Sequence, residues 1–374
     1  MKSPTSPARG GGSGSSGGSS GSGPGNPGSS NAGSSGRGGD SNSSRPRRQH
    51  RSGRNHDNAG RPSGGSAAPS SSSAAAATVS ADAGVENLSL MSDIVELTKA
   101  RLTLLVLLTT LAGFYLGMNG TVSLTTLAHT LFGTALVAAA ASALNQYLER
   151  EPDAQMGRTE DRPLPKGRLA AEDVATAAIA AALAGALWLG FLVNWLSSFL
   201  AVLTLLIYIF VYTPLKRITS LNTLVGAVPG AIPPVIGWAA ARQSVDLQAL
   251  ALFGILFLWQ MPHFLAIAWL YREEYSNAGY KMSSLGDHSG GRTAGGSVFY
   301  SLLLIPVSMA PYFLGTCNII YAVIACLLGI AFTWMCTRFF VFPVNNRARQ
   351  LFLVSIFYLP LLLIAAVLTK NVPH

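Results

Sequence analysis

The chain has 374 residues, of which 49% are hydrophobic and 11% are charged, and its formal net charge is +9. Soluble domains carry roughly 25% charged residues, so this composition disfavours a water-soluble enzyme and indicates an integral membrane protein. The cysteines, Cys317, Cys326 and Cys336, lie in an apolar run at a spacing that suggests neither a zinc site nor a disulfide framework.

The N-terminal segment, residues 1–87, has a different composition from the rest. Residues 1–86 contain no Leu, Ile, Phe, Tyr or Trp, and 19 of the 39 glycines lie there. Because such a segment buries too little apolar surface to offset chain entropy, we expect 1–87 to be a disordered tail and 88–374 to form a single membrane domain. The arginines between Arg45 and Arg61 lack the interleaved aromatic residues of a nucleic-acid-binding surface, so no nucleic-acid partner is predicted.

Apolar runs long enough to cross a bilayer follow the tail. A bilayer core about 30 Å thick needs about 20 apolar residues per helix. Nine such runs predict an all-α integral membrane protein with nine transmembrane helices. The runs are roughly 101–118, 121–146, 172–193, 196–214, 219–240, 247–271, 297–316, 319–341 and 351–369.

Lysine and arginine are distributed unevenly between the two sides of these runs. The loops after the second, fourth, sixth and eighth runs carry 5, 2, 3 and 3 of them, whereas the other loops and the C-terminal segment carry only Arg242 and Lys370. Because basic loops stay on the cytoplasmic side, we predict a cytoplasmic N-terminus and a C-terminus outside. Because the two termini then lie on opposite sides of the membrane, the number of spans must be odd, and nine meets this requirement.

A first polar patch lies at the inner end of the second run. Asn145, Glu149 and Asp153 are spaced four residues apart, so on a helix their side chains share one face. Four cations follow: Arg158, Arg162, Lys166 and Arg168. Oxygen ligands beside cations suit Mg²⁺ and a diphosphate; ordinary interfacial charges are the alternative. Pro152 is expected to end or bend the helix, so that Asp153 would reach the site from a kink or loop.

A second patch extends from Tyr212 to Trp238, across the fourth and fifth runs. Lys216 and Arg217 are either surface anchors or cations of the site. The glycines and prolines between Gly226 and Pro234 distort a spanning helix, which is tolerated where a neighbour or a cavity satisfies the backbone. We therefore predict a cavity that opens towards the inner face.

The last polar patch ends the sixth run, in the sequence Trp259-Gln-Met-Pro-His-Phe264. His263 lies inside an apolar run, where ionisable residues are costly and are functional candidates. A packed, hydrogen-bonded histidine is the alternative. Glu273 and Glu274 follow on the same membrane face as Asp153, and they are candidates for holding a second metal ion or for helping to hold the first.

Together these patches resemble the protoheme IX farnesyltransferase family, a branch of the intramembrane UbiA-type prenyltransferase superfamily. The resemblance is carried by Asn-x₃-Glu-x₃-Asp before Arg-Thr-x-x-Arg-Pro-Leu, and by Pro-His-Phe before Tyr-x-x-Ala-Gly, and it covers about residues 92–285. The chain departs from the family pattern at Ala100, where proline is usual, at Glu274, where aspartate is usual, and at Pro152.

The resemblance implies a nine-helix bundle around a central cavity and a specific reaction. The farnesyl group of farnesyl diphosphate would join a vinyl group of heme B, with addition of water, to give heme O and diphosphate. Heme B is then a substrate and not a redox cofactor, and Mg²⁺ is the cofactor. Membrane lipid and, by family logic, heme A synthase are further expected partners. A bacterial inner membrane is favoured over the mitochondrial inner membrane.

The resemblance also implies roles for individual residues. Mg²⁺ is assigned to four oxygen donors: Asn145, Glu149, Asp153 and Glu274. The departing diphosphate is assigned to four cations: Arg158, Arg162, Lys216 and Arg217. Three aromatic side chains are candidates to face the allylic cation: Tyr147, Tyr212 and Trp259. His263 is placed near the heme, as an iron ligand or a propionate partner.

Two other functions are compatible with parts of the pattern. A UbiA-type prenyltransferase acting on an aromatic quinone precursor would carry a second aspartate-rich motif, where this chain has only Glu273 and Glu274. A transporter built on broken helices would place charge along a path through the membrane, whereas nearly all the charge here is expected at one face.

Overall fold

The computed structural model describes residues 89–120 and 123–371, so the tail predicted to be disordered lies outside the described residues. Within the described part, nine helices are long and apolar enough to cross a membrane, which confirms the predicted fold class. They are α1 (Ala100–Gly117), α2 (Leu124–Asp153), α3 (Ala171–Leu192), α4 (Trp195–Ile218), α5 (Asn222–Arg242), α6 (Leu247–Leu270), α7 (Gly291–Phe313), α8 (Ile319–Val341) and α9 (Asn345–Leu368). The cytoplasmic location of the N-terminus stays a prediction.

Each of the four even-numbered helices begins with a side-chain cap. Their N-cap residues, each accepting a hydrogen bond from a backbone N–H of the first turn, are Ser123, Asn194, Asp246 and Asn318. Such caps satisfy amide groups that the helix itself leaves without a partner. The connections that precede these four helices are short and lie at one end of the bundle. The opposite end carries the two long connections, 154–170 and 271–290.

Helices α1 and α5 cross in backbone contact. A Cβ atom added to Gly113 would lie 1.9 Å from the carbonyl oxygen of Pro234, and one added to Gly237 would lie 1.9 Å from that of Thr110. Only glycine permits so close an approach of two backbones. The crossing fixes α5 against the helix that enters the bundle first.

Two of the helices are irregular. Residues Ile207–Tyr212 of α4 form a π-helical turn, which the sequence pattern did not predict. Helix α5 consists of two pieces, Asn222–Ala231 and Pro233–Arg242, joined at Ile232, as its prolines led us to expect. π-helical turns are often found at functional sites.

The prediction that Pro152 takes Asp153 out of regular helix was wrong, because α2 continues through Asp153. A proline lacks the N–H that would bond to the carbonyl group four residues earlier and clashes with that group, and α2 does end one residue after Pro152. The amide of Ala154 still bonds to the carbonyl oxygen of Arg150, and the Thr159 hydroxyl caps the carbonyl oxygen of Asp153. Helices α7 and α9 also begin about six residues earlier than predicted, at Gly291 and Asn345.

The largest fully buried side chains are those of Trp238 in α5 and of Tyr321, Phe332 and Phe339 in α8. Large apolar side chains such as Phe191 and Phe313 are exposed on the outside of the bundle. This surface suits a bilayer, which solvates apolar side chains but not free backbone groups.

Candidate active site

A cavity of about 340 Å³ lies inside the bundle, between α1, α2, α4, α5 and α6. Ligand sites have volumes of about 300–1,000 Å³. Most of the wall is apolar, with Val106, Val137, Leu205, Ile236 and Phe264 among its residues. The cavity is therefore suited to an apolar chain.

The irregular parts of α4 and α5 form one wall of this cavity. Gly226, Pro229, Gly230 and Pro233 line it, in agreement with the prediction that the distorted stretch borders a cavity. A Cβ atom at Gly226 would lie 2.4 Å from the ring of Tyr212. The absence of a side chain at Gly226 thus allows the Tyr212 ring to take its place in the wall.

The three polar residues predicted to share a face of α2 are all buried. Asn145 is 1%, Glu149 is 6% and Asp153 is 3% exposed. Burying charged groups is costly unless they are paired or hydrogen-bonded. Each of the three does have a partner from another part of the chain.

Asn145 is held by three side chains. Its Oδ1 atom accepts hydrogen bonds from Lys99 Nζ at 3.0 Å and from the Tyr208 hydroxyl at 3.3 Å. Its Nδ2 atom donates to the Thr213 hydroxyl at 3.2 Å. These contacts fix the orientation of the amide and join α2 to α4.

Lys99 contacts the polar face of α2, although the sequence pattern gave it no role. It directly precedes Ala100, where the chain departs from the family pattern. It lines the cavity and occupies the left-handed backbone region, with φ of 47°, which is rare for residues other than glycine. Burial, together with the positive charges of Lys216 and Arg162, lowers the pKa of Lys99 to about 7.

Glu149 forms a buried ion pair with Lys216. The distance between Glu149 Oε1 and Lys216 Nζ is 2.7 Å, and the residues are 67 positions apart in the chain. The Lys216 ammonium also lies 4.6 Å from the centre of the Tyr212 ring, within range of a cation–π interaction. Lys216 is therefore buried against the polar face of α2 and is more than a surface anchor.

Asp153 pairs with Arg162, whose Nη1 atom lies 2.5 Å from Asp153 Oδ2. The loop after α2 folds back so that this arginine reaches the end of the helix that precedes it. Arg158 of the same loop is exposed and lies over the ring of Tyr271, 5.6 Å from its centre. The structure thus brings Arg162 to the predicted face and places Arg158 beside the opposite loop.

The second long loop covers the same end of the bundle. Tyr280 is buried in a cluster with Met156 and Ala278, and the amide of Lys281 bonds to the carbonyl oxygen of Lys216 at 2.7 Å. Burial, reinforced by the nearby charge of Glu149, raises the pKa of Tyr280 above its ordinary value. Tyr280 is a second residue that the sequence pattern did not indicate.

Mg²⁺ fits the chemistry of the donor set. Within the described residues, His, Cys, Asp and Glu form no ready-made group of three that could hold a metal ion. The candidate donors are instead two carboxylates and the amide oxygen of Asn145, and Mg²⁺ typically takes one or two carboxylates and completes its shell with phosphate oxygens and water. Oε2 of Glu274 is a buried carboxylate oxygen with no hydrogen-bond partner among the described residues.

Of the predicted site residues, Tyr212 lines the cavity and the others do not. The Tyr147 hydroxyl donates to Glu172 Oε1 at 3.4 Å, and the Arg150 guanidinium lies over the Tyr147 ring. Arg217 is exposed. Trp259 is buried, and its Nε1 donates to the carbonyl oxygen of Ser355 at 2.8 Å.

His263 packs between α6 and α9. Its Nδ1 atom lies 2.8 Å from the Ser355 hydroxyl, and its ring stacks against those of Trp259 and Phe352. Gln260 and Phe264, on either side of it in the helix, line the cavity. His263 is thus a packed, hydrogen-bonded residue directly behind the cavity wall.

The sequence matches the UbiA prenyltransferase family over residues 106–361. A protein named protoheme IX farnesyltransferase from Solibacter usitatus is 44% identical over 281 residues, which cover 73% of this chain and 96% of that protein. The protoheme IX farnesyltransferase of Koribacter versatilis is 40% identical over 294 residues, covering 76% of this chain and 95% of the relative. Both relatives are matched over nearly their full length.

Solved structures share the fold at lower identity. A digeranylgeranylglyceryl phosphate synthase matches with a TM-score of 0.65 and 15% identity, over 75% of this chain and 98% of the other. A UbiA homologue from Archaeoglobus fulgidus, bound to DMAPP and Mg²⁺, matches with a TM-score of 0.56 and 16% identity, over 73% of this chain and 99% of the other. The helical arrangement is therefore shared with proteins whose sequences have diverged widely.

Proposed function

This chain belongs to the UbiA prenyltransferase family, and from that premise we propose that it farnesylates heme B to give heme O. The proposal is supported by the relatives named protoheme IX farnesyltransferase, which are 44% and 40% identical. The observation that carries it is a polar face of α2 with two buried ion pairs, which meets the apolar cavity at Lys99 and at the Tyr212 ring.

The reaction requires a new carbon–carbon bond and the loss of diphosphate. The bond between C1 of the farnesyl group and the diphosphate oxygen breaks, and C1 bonds to the terminal carbon of a heme vinyl group. Water adds to the other vinyl carbon and releases a proton. The site must therefore stabilise a departing anion while it keeps water away from the allylic cation.

Three cations of the site suit the departing diphosphate. Lys99, Arg162 and Lys216 all contact the polar face of α2. Groups already oriented towards developing negative charge are an effective source of catalysis. We propose that these cations bind the diphosphate and neutralise its charge as the C1–oxygen bond breaks.

Asn145, Glu149 and Asp153 would hold Mg²⁺, with Glu274 as a further carboxylate. When bound, the ion supplies Lewis-acid stabilisation of the diphosphate as a leaving group. With the carboxylates holding the metal, Arg162 and Lys216 would be free to bind the diphosphate. The Archaeoglobus fulgidus homologue binds DMAPP together with Mg²⁺, which supports a metal-dependent site in this chain as well.

The aromatic part of the cavity wall suits the allylic cation. Tyr208 and Tyr212 both line the cavity, and their rings stack with centres 5.5 Å apart. Aromatic faces attract cations, and an apolar enclosure limits premature capture by water. We propose that Tyr212 contacts the cation and that Tyr208 also holds Asn145 in place.

The heme is proposed to lie near His263. Ser355 fixes the ring through Nδ1, and a hydrogen bond at one ring nitrogen orients the other towards a ligand. Trp259 stacks on the His263 ring, so it would affect the heme only by holding that ring in place. Whether the imidazole meets the iron or a propionate is tested by the heme absorption spectrum, which changes on axial ligation.

The protein is a multi-pass membrane protein, and we propose the bacterial inner membrane as its location. Similarity to bacterial relatives such as those of Solibacter usitatus and Koribacter versatilis supports this location. Heme A synthase, as an enzyme that acts on heme O, is the proposed downstream partner.

The function is tested with the full chain in lipid vesicles supplied with heme B, farnesyl diphosphate and Mg²⁺. We expect a heme product that has gained a farnesyl group and a hydroxyl group by mass spectrometry, and no such product after chelation of divalent cations. Unchanged heme under the same conditions would contradict the proposal. Prenylation of an aromatic quinone precursor in parallel vesicles would instead indicate the other branch of the family.

A further inference from the structure

A short helix precedes α1 at the end of the bundle that carries the candidate active site. It comprises residues 89–97. The side chain of Gln146 in α2 donates hydrogen bonds to the carbonyl oxygens of Glu96 and Leu97, at 3.1 and 2.8 Å. These bonds satisfy carbonyl groups that the end of a helix leaves free and attach the helix to α2.

One face of this helix docks on the protein. Asp93 is buried and accepts hydrogen bonds from Arg168, with its Oδ1 atom 2.8 Å from Arg168 Nη2. Leu97 is buried with Ala143 and Leu164. We call Asp93 and Leu97 the docked face.

A second face is apolar and has no protein over it among the described residues. Leu90, Met91, Ile94 and Val95 are between 43% and 63% exposed. Since successive residues of a helix are about 100° apart, these four side chains fall within an arc of about 140°. We call them the apolar face.

The remaining arc of the helix is polar. Ser89, Ser92 and Glu96 are exposed and lie between the apolar and docked faces. The short helix therefore has three faces: one packed on the protein, one exposed and apolar, and one exposed and polar. In a loop surrounded by water, exposing the apolar face would be unfavourable.

We propose that residues 89–97 lie in the membrane surface, with the apolar face inserted among the lipid acyl chains. The division into an apolar and a polar arc is typical of helices that lie in the interface. The apolar face is followed in the chain by the membrane-spanning helix α1, on which Leu102 and Leu104 are also more than half exposed. This continuity favours lipid over a second copy of the chain as the occupant.

The left-handed residue Lys99 separates this helix from α1. With φ of 47°, it interrupts the helical path between residue 97 and Ala100. Such an interruption is what a helix lying in the membrane surface would need in order to turn away from the direction of the span. The lipid-bound helix would thereby hold Lys99 at the cavity from one side, while Asn145 holds it from the other.

The proposal is tested by photo-cross-linking of the full chain in vesicles of phosphatidylethanolamine and phosphatidylglycerol. A benzophenone amino acid replaces Ile94 of the apolar face or, as a matched control, Ser92 of the polar face. We expect at least about fivefold more lipid adduct from position 94 than from position 92. Equal adduct at the two positions, or an adduct at position 94 with a second copy of the chain, would overturn the proposal.

A second test measures amide hydrogen exchange in variants that carry added charges on the exposed faces of the short helix. Leu90→Asp with Val95→Asp should increase amide hydrogen exchange over 89–97 in vesicles by about tenfold, because two charges expel the apolar face from lipid. The matched pair Ser89→Asp with Ser92→Asp should leave exchange unchanged. Unchanged exchange in both variants would show that Arg168 and Gln146 alone hold the helix, and lipid insertion would be refuted.

Discussion

Asp153→Asn is expected to lower kcat for heme farnesylation by at least about 100-fold while the protein still inserts and folds. The substitution preserves the volume of the side chain but removes its charge and one ligand oxygen. Substitutions that only support a metal ligand already cost about 10- to 100-fold, so loss of a proposed ligand should cost more. The loss should appear in kcat, because Asp153 is proposed to act on the departing diphosphate through the metal that it would hold.

The measurement is single-turnover product formation in vesicles, with Asp161→Asn as the control. Asp161 lies in the same loop and is also paired with a cation, Lys166 at 2.9 Å, but its side chain is 79% exposed. The control should stay within about twofold of the unmodified chain. If Asp153→Asn kept more than about a tenth of the activity, Asp153 would have no place in the proposed metal site.

Lys216→Met is expected to reduce kcat by about 10²- to 10³-fold, the typical effect of removing one group oriented to a developing anion. It should also destabilise the protein, because the buried carboxylate of Glu149 loses its partner at 2.7 Å. Breaking a buried ion pair by removing one member costs about 3–5 kcal/mol. Activity and stability therefore fall together in this variant.

A double variant separates the two effects. Adding Glu149→Gln to Lys216→Met removes the uncompensated charge, so the thermal unfolding midpoint should return most of the way to its original value. Turnover should stay low, because the diphosphate still lacks a cation and the metal lacks a carboxylate. Recovery of turnover together with stability would mean that the pair serves only the fold.

The predicted spans and the shared polar face follow from local geometry. Apolar runs of sufficient length form helices in a bilayer because the backbone has no other way to satisfy its polar groups. Asn145, Glu149 and Asp153 align because residues four apart on a helix lie nearly above one another. Both inferences need only the order of residues, and the structure bears out the spans and the alignment.

The pairing of these residues could not be predicted in the same way. The contact between Glu149 and Lys216 joins positions 67 residues apart, and it depends on how α4 packs against α2. Lys99 reaches Asn145 across 46 positions from a residue in the left-handed backbone conformation, which the sequence pattern did not indicate. Tyr280 reaches the site through the fold of a loop, for which apolar periodicity carries no information.

Whether Asp153 lies in regular helix after Pro152 could not be predicted from the proline alone. The general cost of a proline inside a helix led to the prediction of a kink or loop at Asp153. In the structure Asp153 is the last residue of α2 and its carbonyl oxygen is capped by Thr159. The helix thus ends one residue after the proline, and a hydrogen bond from the following loop satisfies its last carbonyl group.

The most direct test is to locate the metal in the substrate-bound protein. A structure determined with Mn²⁺ in place of Mg²⁺ and a non-reactive thio analogue of farnesyl diphosphate should show an anomalous-scattering peak between the side-chain oxygens of Asn145, Glu149 and Asp153, next to the diphosphate. A diphosphate bound elsewhere, or Glu149 and Asp153 still paired with Lys216 and Arg162 and no metal between them, would contradict the proposed metal site.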